Sequence, residues 1–321
     1  MANKYKVAGV KGQEAPKPLN RCFMHMMGPY ANGKSRLAQS CETGFVINAD
    51  CNPTTNDHPL AEIWPVPDST GMMVDGDGNH IQLNWLLVRA MIDRLVKMQR
   101  DGVQGLPTTV FLDSLPSLLT MSCCWSTWRL IRDAEARKSP NQQDKFIMDT
   151  YSPDLVTVPD MKSLHGMTMY GMAYDEVADA MDCLTRVGYG VVPITHTIMK
   201  EKEKGRDSKG EVIIEDVPAL TVSEAMAGRY KRSLDFAYIV RHTTGQIAEW
   251  TKTEDRVVKQ GGKEKIIPGK RIQKTTETDQ CEITTSDPLW GQFLIRRAGL
   301  PARIILTGDN AWSQFEEVYN S

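Results

Sequence analysis

The stretch Gly28-Pro-Tyr-Ala-Asn-Gly33-Lys34-Ser35 constrains this chain more than any other feature. It fits the pattern G-x-x-x-x-G-K-[ST], whose glycines let backbone N–H groups curl around phosphate oxygens. An apolar run, Arg21 to Met27, precedes it and reads as a buried strand. A helix is expected from about Gly33 to Ser40, so its positive N-terminal end would add to anion attraction. Lys34 would reach the β- and γ-phosphates and the Ser35 hydroxyl would ligate Mg²⁺. Gly28, Asn32, Gly33 and Arg36 belong to the same phosphate-facing segment. A plain glycine-rich strand–helix turn is the bland alternative.

A strand–loop–helix of this type needs more parallel strands around it. Gly44 to Ala49, Thr108 to Leu112 and Tyr189 to Thr195 supply candidates, and Phe236 to Val240 and Ile247 to Trp250 read as further strands. Helical periodicity covers about Ile81 to Arg100, a segment holding Trp125, Trp128 and Ile131, and Asp175 to Val187. Strands and helices alternate, so an α/β fold with a mainly parallel central sheet flanked by helices is expected. Residues 50–80 and 199–211 read as loops, and 133–165 as an insertion. The spacing of Trp125 and Trp128, and the methionines 161, 167, 169 and 172, point to packing rather than to ligands.

The 321 residues are 41% hydrophobic and 24% charged, ordinary values for a globular chain. No stretch has the length and apolarity of a bilayer span or a secretory leader, so a membrane role is not expected. Seven scattered cysteines, none spaced C-x-x-C, argue against a disulfide framework and a zinc site, and for a reducing cytoplasm. Lys+Arg 38 against Asp+Glu 40 gives a net charge of −2, which disfavours a uniformly basic nucleic-acid binder. The average hides structure: residues 252–274 carry eight Lys/Arg against three Asp/Glu, a local +5 that leaves the rest at −7.

Nucleotide chemistry requires a second acid near Mg²⁺, at the end of an apolar strand. Thr109-Val-Phe-Leu-Asp113 provides it. Ser114 follows, where many hydrolytic relatives of this motif carry a glutamate that activates water. Asp50, just beyond the strand after the first helix, is the leading replacement for that base, with Glu62 a weaker one. An ordinary turn or helix cap is the competing role for Asp50.

These pieces, together with Val191-Val-Pro-Ile-Thr195-His196, occur in the order found in RecA-type ATPases. Over about residues 20–250 the chain resembles the compact RecA-like ATPases of bacteriophages, the Sak-type single-strand annealing proteins. The resemblance implies an N-terminal arm (1–20), an ATPase core (21–250), and a basic hairpin-like segment with a tail packed on the core (251–321). It implies an ATPase that uses Mg²⁺ and ATP and acts on single-stranded DNA in recombination, annealing or replication. A homo-oligomeric ring or filament in the host-cell cytoplasm, working with a single-strand binding protein or other replication proteins, goes with it.

His196 would then sense the γ-phosphate, against the alternative of a satisfied polar residue at a strand end. Lys200, Lys202, Lys204 and Arg206 would lie in the DNA-binding loop, although that segment mixes cations and acids and reads equally as a solvated hairpin tip. Arg229, Lys231 and Arg232 would meet DNA or a neighbour's γ-phosphate, or stand as surface cations. Lys270 or Arg271 would reach in trans to a neighbour's nucleotide, unless 252–274 is simply a solvated β-hairpin around Gly261-Gly262. A motor or loader (helicase, helicase loader or packaging ATPase), an ATP-switched adaptor without turnover, and a small-molecule kinase are the other classes.

Overall fold

A computed structural model describes residues 17–50, 66–67, 73–74, 83–157, 160–161, 166–206, 212–252, 256–260, 263–267, 271–295, 300–308 and 310–321. Glu62, Lys270 and residues 1–16 of the expected arm lie outside the described residues, as does most of 50–80. So do the side chains of Arg206, Arg232 and Arg271.

The chain is a mixed α/β protein built on one eight-stranded sheet. Strand β1 (Met24–Gly28) leads into helix α1 (Lys34–Gln39) and β2 (Gly44–Asn48). Two short strands, β3 (Val66–Pro67) and β4 (Met73–Val74), pair with each other. Then come α2 (Trp85–Arg100), β5 (Thr109–Asp113), α3 (Leu115–Ala136), α4 (Lys145–Asp149), α5 (Gly166–Arg186), β6 (Gly190–Arg206) and β7 (Val212–Leu220). The rest is α6 (Glu224–Tyr230), β8 (Phe236–Lys252), β9 (Arg256–Gln260), β10 (Lys263–Ile267), β11 (Arg271–Thr284), β12 (Arg303–Thr307) and α7 (Ala311–Asn320).

Across the sheet the order is β12-β11-β8-β1-β6-β5-β2, with β7 on the outer half of β6. The five strands from β8 to β2 are mutually parallel, and β7, β11 and β12 are antiparallel. β1, β2 and β5 are buried at every position, as strands covered on both faces must be. Alternation sends Phe23 and Met27 into a core with α2, α3 and α5, and Met24 and Met26 into a second core with α1 and α7.

Helix α2 shows why the periodic segments fold as they do. Its buried residues Trp85, Val88, Ile92 and Leu95 recur at helical spacing. The Asn84 side chain caps its first turn by accepting from the Leu87 N–H at 3.1 Å. In α3, Trp125 packs half-buried against the core, and the Trp128 indole donates to the Tyr151 carbonyl at 2.7 Å. Met169 is fully buried. Cys22, Cys41, Cys123, Cys124, Cys183 and Cys281 are in the reduced thiol form.

Two segments depart from the expected pattern. Residues 199–206, read as loop, continue β6 as strand and pair with β7. The Lys-Glu alternation has no apolar face to advertise a strand, yet the backbone finds its partner in the β-branched run Val212-Ile-Ile. The two strands expected at 236–240 and 247–250 are one. The polar residues between them keep pairing, Arg241 with Glu282 and His242 with Cys281.

In the basic segment, β9 and β10 form an antiparallel hairpin with Gln260 opposite Lys263. The tail is part of the second core: Trp312 stacks edge-on to Phe111 at 5.1 Å, and the Tyr319 hydroxyl donates to the Lys17 carbonyl at 2.8 Å. Among the described residues no helix is long and apolar enough to cross a membrane.

Candidate functional site

β1, β2 and β5 end beside the middle of the parallel strand β6 and bring the polar residues together. Gly28, last in β1, lies opposite His196 on β6, and Asn48, last in β2, lies opposite Asp113 on β5. Crevices at the carboxyl ends of parallel strands, where successive connections leave in different directions, are where α/β sheets bind ligands. A cavity of about 820 Å³ opens here, lined among others by Tyr30, Asn32, Lys34, Asp50, Asp113 and His196.

Local geometry explains the glycines. A Cβ on Gly28 would collide with the Val240 carbonyl oxygen, and Gly33 has φ +80, a left-handed conformation that side chains resist. The loop therefore hugs the sheet at one end and turns sharply into α1 at the other. Since α1 spans six residues, the attraction for an anion rests on the lysine and the loop amides more than on a helix dipole.

Lys34 is 4% exposed, and its ammonium donates to the carbonyls of Gly28 (3.0 Å) and Pro29 (2.6 Å). Burial lowers its pKa to about 8, although Asp113 and Asp50 pull the other way. The Ser35 hydroxyl donates to Asp113 Oδ2 at 2.5 Å. Burial raises the Asp113 pKa, and Asp50 adds to that rise, while the Ser35 hydrogen bond and Lys34 offset part of it. The Asp113–Ser114 peptide is cis.

Asp50 sits beside this pair. Its Oδ1 accepts from the Ser114 hydroxyl at 2.7 Å and from the Ser117 hydroxyl. Ser117 was not singled out from the sequence. Its signal was a hydroxyl three residues after Ser114, which places both on the first turn of α3.

The Tyr30 ring stacks on the His196 ring, centroids 3.7 Å apart and planes 17° from parallel. Burial, and then Lys34, depress the His196 pKa to about 4, so the ring is neutral at physiological pH. Its Nδ1 is buried with no hydrogen-bond partner among the described residues. Tyr30 occupies a variable position of the loop motif, and nothing in the spacing marked it. Of the remaining loop residues, Asn32 accepts from the His242 N–H at 3.3 Å and Arg36 is exposed.

The residues expected to contact DNA lie as follows. Lys200 and Lys202 on β6 and Lys231 after α6 line a separate groove. Lys204 is exposed on β6. Arg229 is tied to Asp175 at 2.7 Å and lies over the Tyr174 ring. The backbone of Arg271 pairs with Lys252 in the sheet.

No protein-family model matches the chain, and no curated protein matches it either.

Proposed function

We propose that this chain is an ATP-hydrolysing protein of RecA-like type that uses Mg²⁺ and acts on single-stranded DNA. The observation that carries the reading is the Ser35–Asp113 contact at 2.5 Å, within one cavity with Lys34 and Asp50. Residues 78 positions apart thereby form the pair that the loop motif and the strand-end acid require.

The donor set suits the metal. A buried carboxylate whose charged form is disfavoured, beside a hydroxyl, offers two hard oxygens to a cation that keeps waters and phosphate oxygens as its other ligands. Ser35 and Asp113 would hold Mg²⁺, which when bound supplies neutralisation of the β- and γ-phosphate charge.

The protein groups then divide the work. Lys34 exchanges its two carbonyl partners for phosphate oxygens. The loop amides hold the phosphates in line. Asp50, fixed by two serine hydroxyls, orients a water and accepts its proton, the role left open by Ser114. His196, neutral and stacked under Tyr30, donates or accepts one hydrogen bond at the γ-phosphate. His196 lies on the same continuous strand as Lys200 and Lys202, so a change at the nucleotide can reach the β6–β7 ribbon along one strand.

The two serine hydroxyls also support a second reading, in which Asp50 only braces the start of α3. The chain would then be an ATP-switched adaptor that binds without turnover.

ATP turnover measured with and without oligothymidylate, across a salt series, separates these. Stimulation by the oligonucleotide that fades with rising salt is expected. ATP binding without turnover would leave the adaptor, and turnover indifferent to DNA at low salt would remove single-stranded DNA from the proposal.

A further inference from the structure

A second cavity, of about 860 Å³, shares no lining residue with the one around the Gly28–Ser35 loop. It is a groove between the β6–β7 ribbon, α6 and the segment 288–293. We propose that it is a docking site for an acidic peptide segment of a partner protein, anchored by an apolar side chain.

Charge carries the first part. Strand geometry segregates the alternating residues of β6: Lys200 and Lys202 face one side of the ribbon, and Glu201 and Glu203 the other. Lys200 and Lys202 have no ion-pair partner among the described residues, and the Lys231 ammonium touches only the neutral Gln292 carbonyl at 3.1 Å. Among the described residues these three lysines share the groove with one acid, Glu224, and Glu215 stands opposite Lys202 across the ribbon. Lys17, by contrast, is matched by Asp235 and Arg89 by Asp179. The described lining thus carries more positive than negative charge.

Its walls carry the second part. Leu220 and Val222 line the interior, and Leu289, 53% exposed, stands at the rim. Tyr230 is 3% exposed, and its hydroxyl is buried without a partner among the described residues. An apolar slot rimmed by lysines fits a chain that alternates carboxylates with an aliphatic or aromatic anchor.

A nucleic acid fits less well. Base recognition without sequence preference relies on open aromatic faces. Here Tyr230 already packs edge-on to His25 at 5.5 Å and against Phe23 at 6.1 Å, and Phe293 packs against Trp290 at 5.9 Å. The other apolar wall residues are aliphatic.

The test is fluorescence anisotropy with the full chain and a labelled synthetic peptide of aspartates and serines around one Leu-Phe pair. No nucleotide is present, so the outcome is independent of ATP chemistry. Saturable binding is expected, weakened roughly tenfold or more by Lys200→Ala/Lys202→Ala and by Leu289→Asp, all surface changes that leave the circular dichroism spectrum unaltered. The same peptide with Leu-Phe replaced by serines should lose a similar factor. Three results would overturn the proposal: no binding at low salt, equal binding of the anchorless peptide, or oligothymidylate binding more tightly than the peptide and depending on the same lysines.

Discussion

The Ser35 hydroxyl and the Asp113 carboxylate meet at 2.5 Å, joining the first turn of α1 to the end of β5. This contact reaches across one strand of the sheet, because β6 runs between β1 and β5. It sets a carboxylate in a buried position where its negative charge is disfavoured until a cation shares it.

Replacing that carboxylate by its neutral isostere separates folding from chemistry. Asp113→Asn removes a charge that burial opposes, so its thermal midpoint should equal or exceed that of the parent. Its Mg²⁺-dependent ATP turnover should fall on the order of 10²-fold, as when one electrostatic group at a reacting phosphate is lost. A Mg²⁺ titration of turnover in both proteins reads this, and undiminished turnover would contradict the assignment of Asp113.

Asp50 and its serine partners give a graded pair of variants. Asp50→Asn should retain nucleotide binding and lose turnover by about 10²-fold or more, the usual contribution of a positioned base. Ser117→Ala should cost about tenfold, the effect of removing one hydrogen bond to a charged group. Equal turnover in all three proteins would assign Asp50 to bracing α3 alone.

His25 makes the stability pH-dependent. It lies on β1, its Nε2 within 2.8 Å of the Thr195 hydroxyl, and burial lowers its pKa to about 3. In the unfolded chain it titrates near its ordinary value, so below about pH 6.5 the unfolded state binds a proton that the native state refuses. Stability is therefore lost as pH falls from there toward 3, by about 1.4 kcal/mol per pH unit from this group. Asp113, with its raised pKa, works in the opposite direction. Urea unfolding at pH 7 and pH 5 should show a smaller pH difference in His25→Gln than in the parent. An unchanged difference would mean that His25 is not the group responsible.

How much of this was legible differs from residue to residue. Lys34, Ser35 and Asp113 could be picked out because each sits at a fixed offset within a short motif or at the end of one apolar strand. The alternation of apolar strands with periodic helices likewise announced a parallel sheet. The bracing of Asp50 by Ser114 and Ser117, and the stack of Tyr30 on His196, are contacts made only through the fold, between segments far apart in the chain. The ribbon of β6 and β7 was hidden for a different reason. Both its faces are largely polar along Lys200–Arg206, so no apolar period distinguished strand from loop, and backbone pairing alone decided it. The opposing sides of Lys200 and Glu201 followed from that pairing, and with them the charged groove.

The central claim is that Lys34 handles the phosphates of ATP. Steady-state ATP turnover of the parent and of Lys34→Ala, both shown folded by circular dichroism, tests it most directly. Turnover in the parent and a loss on the order of 10²-fold or more in the variant is the result expected. Equal turnover in the two proteins would contradict the account.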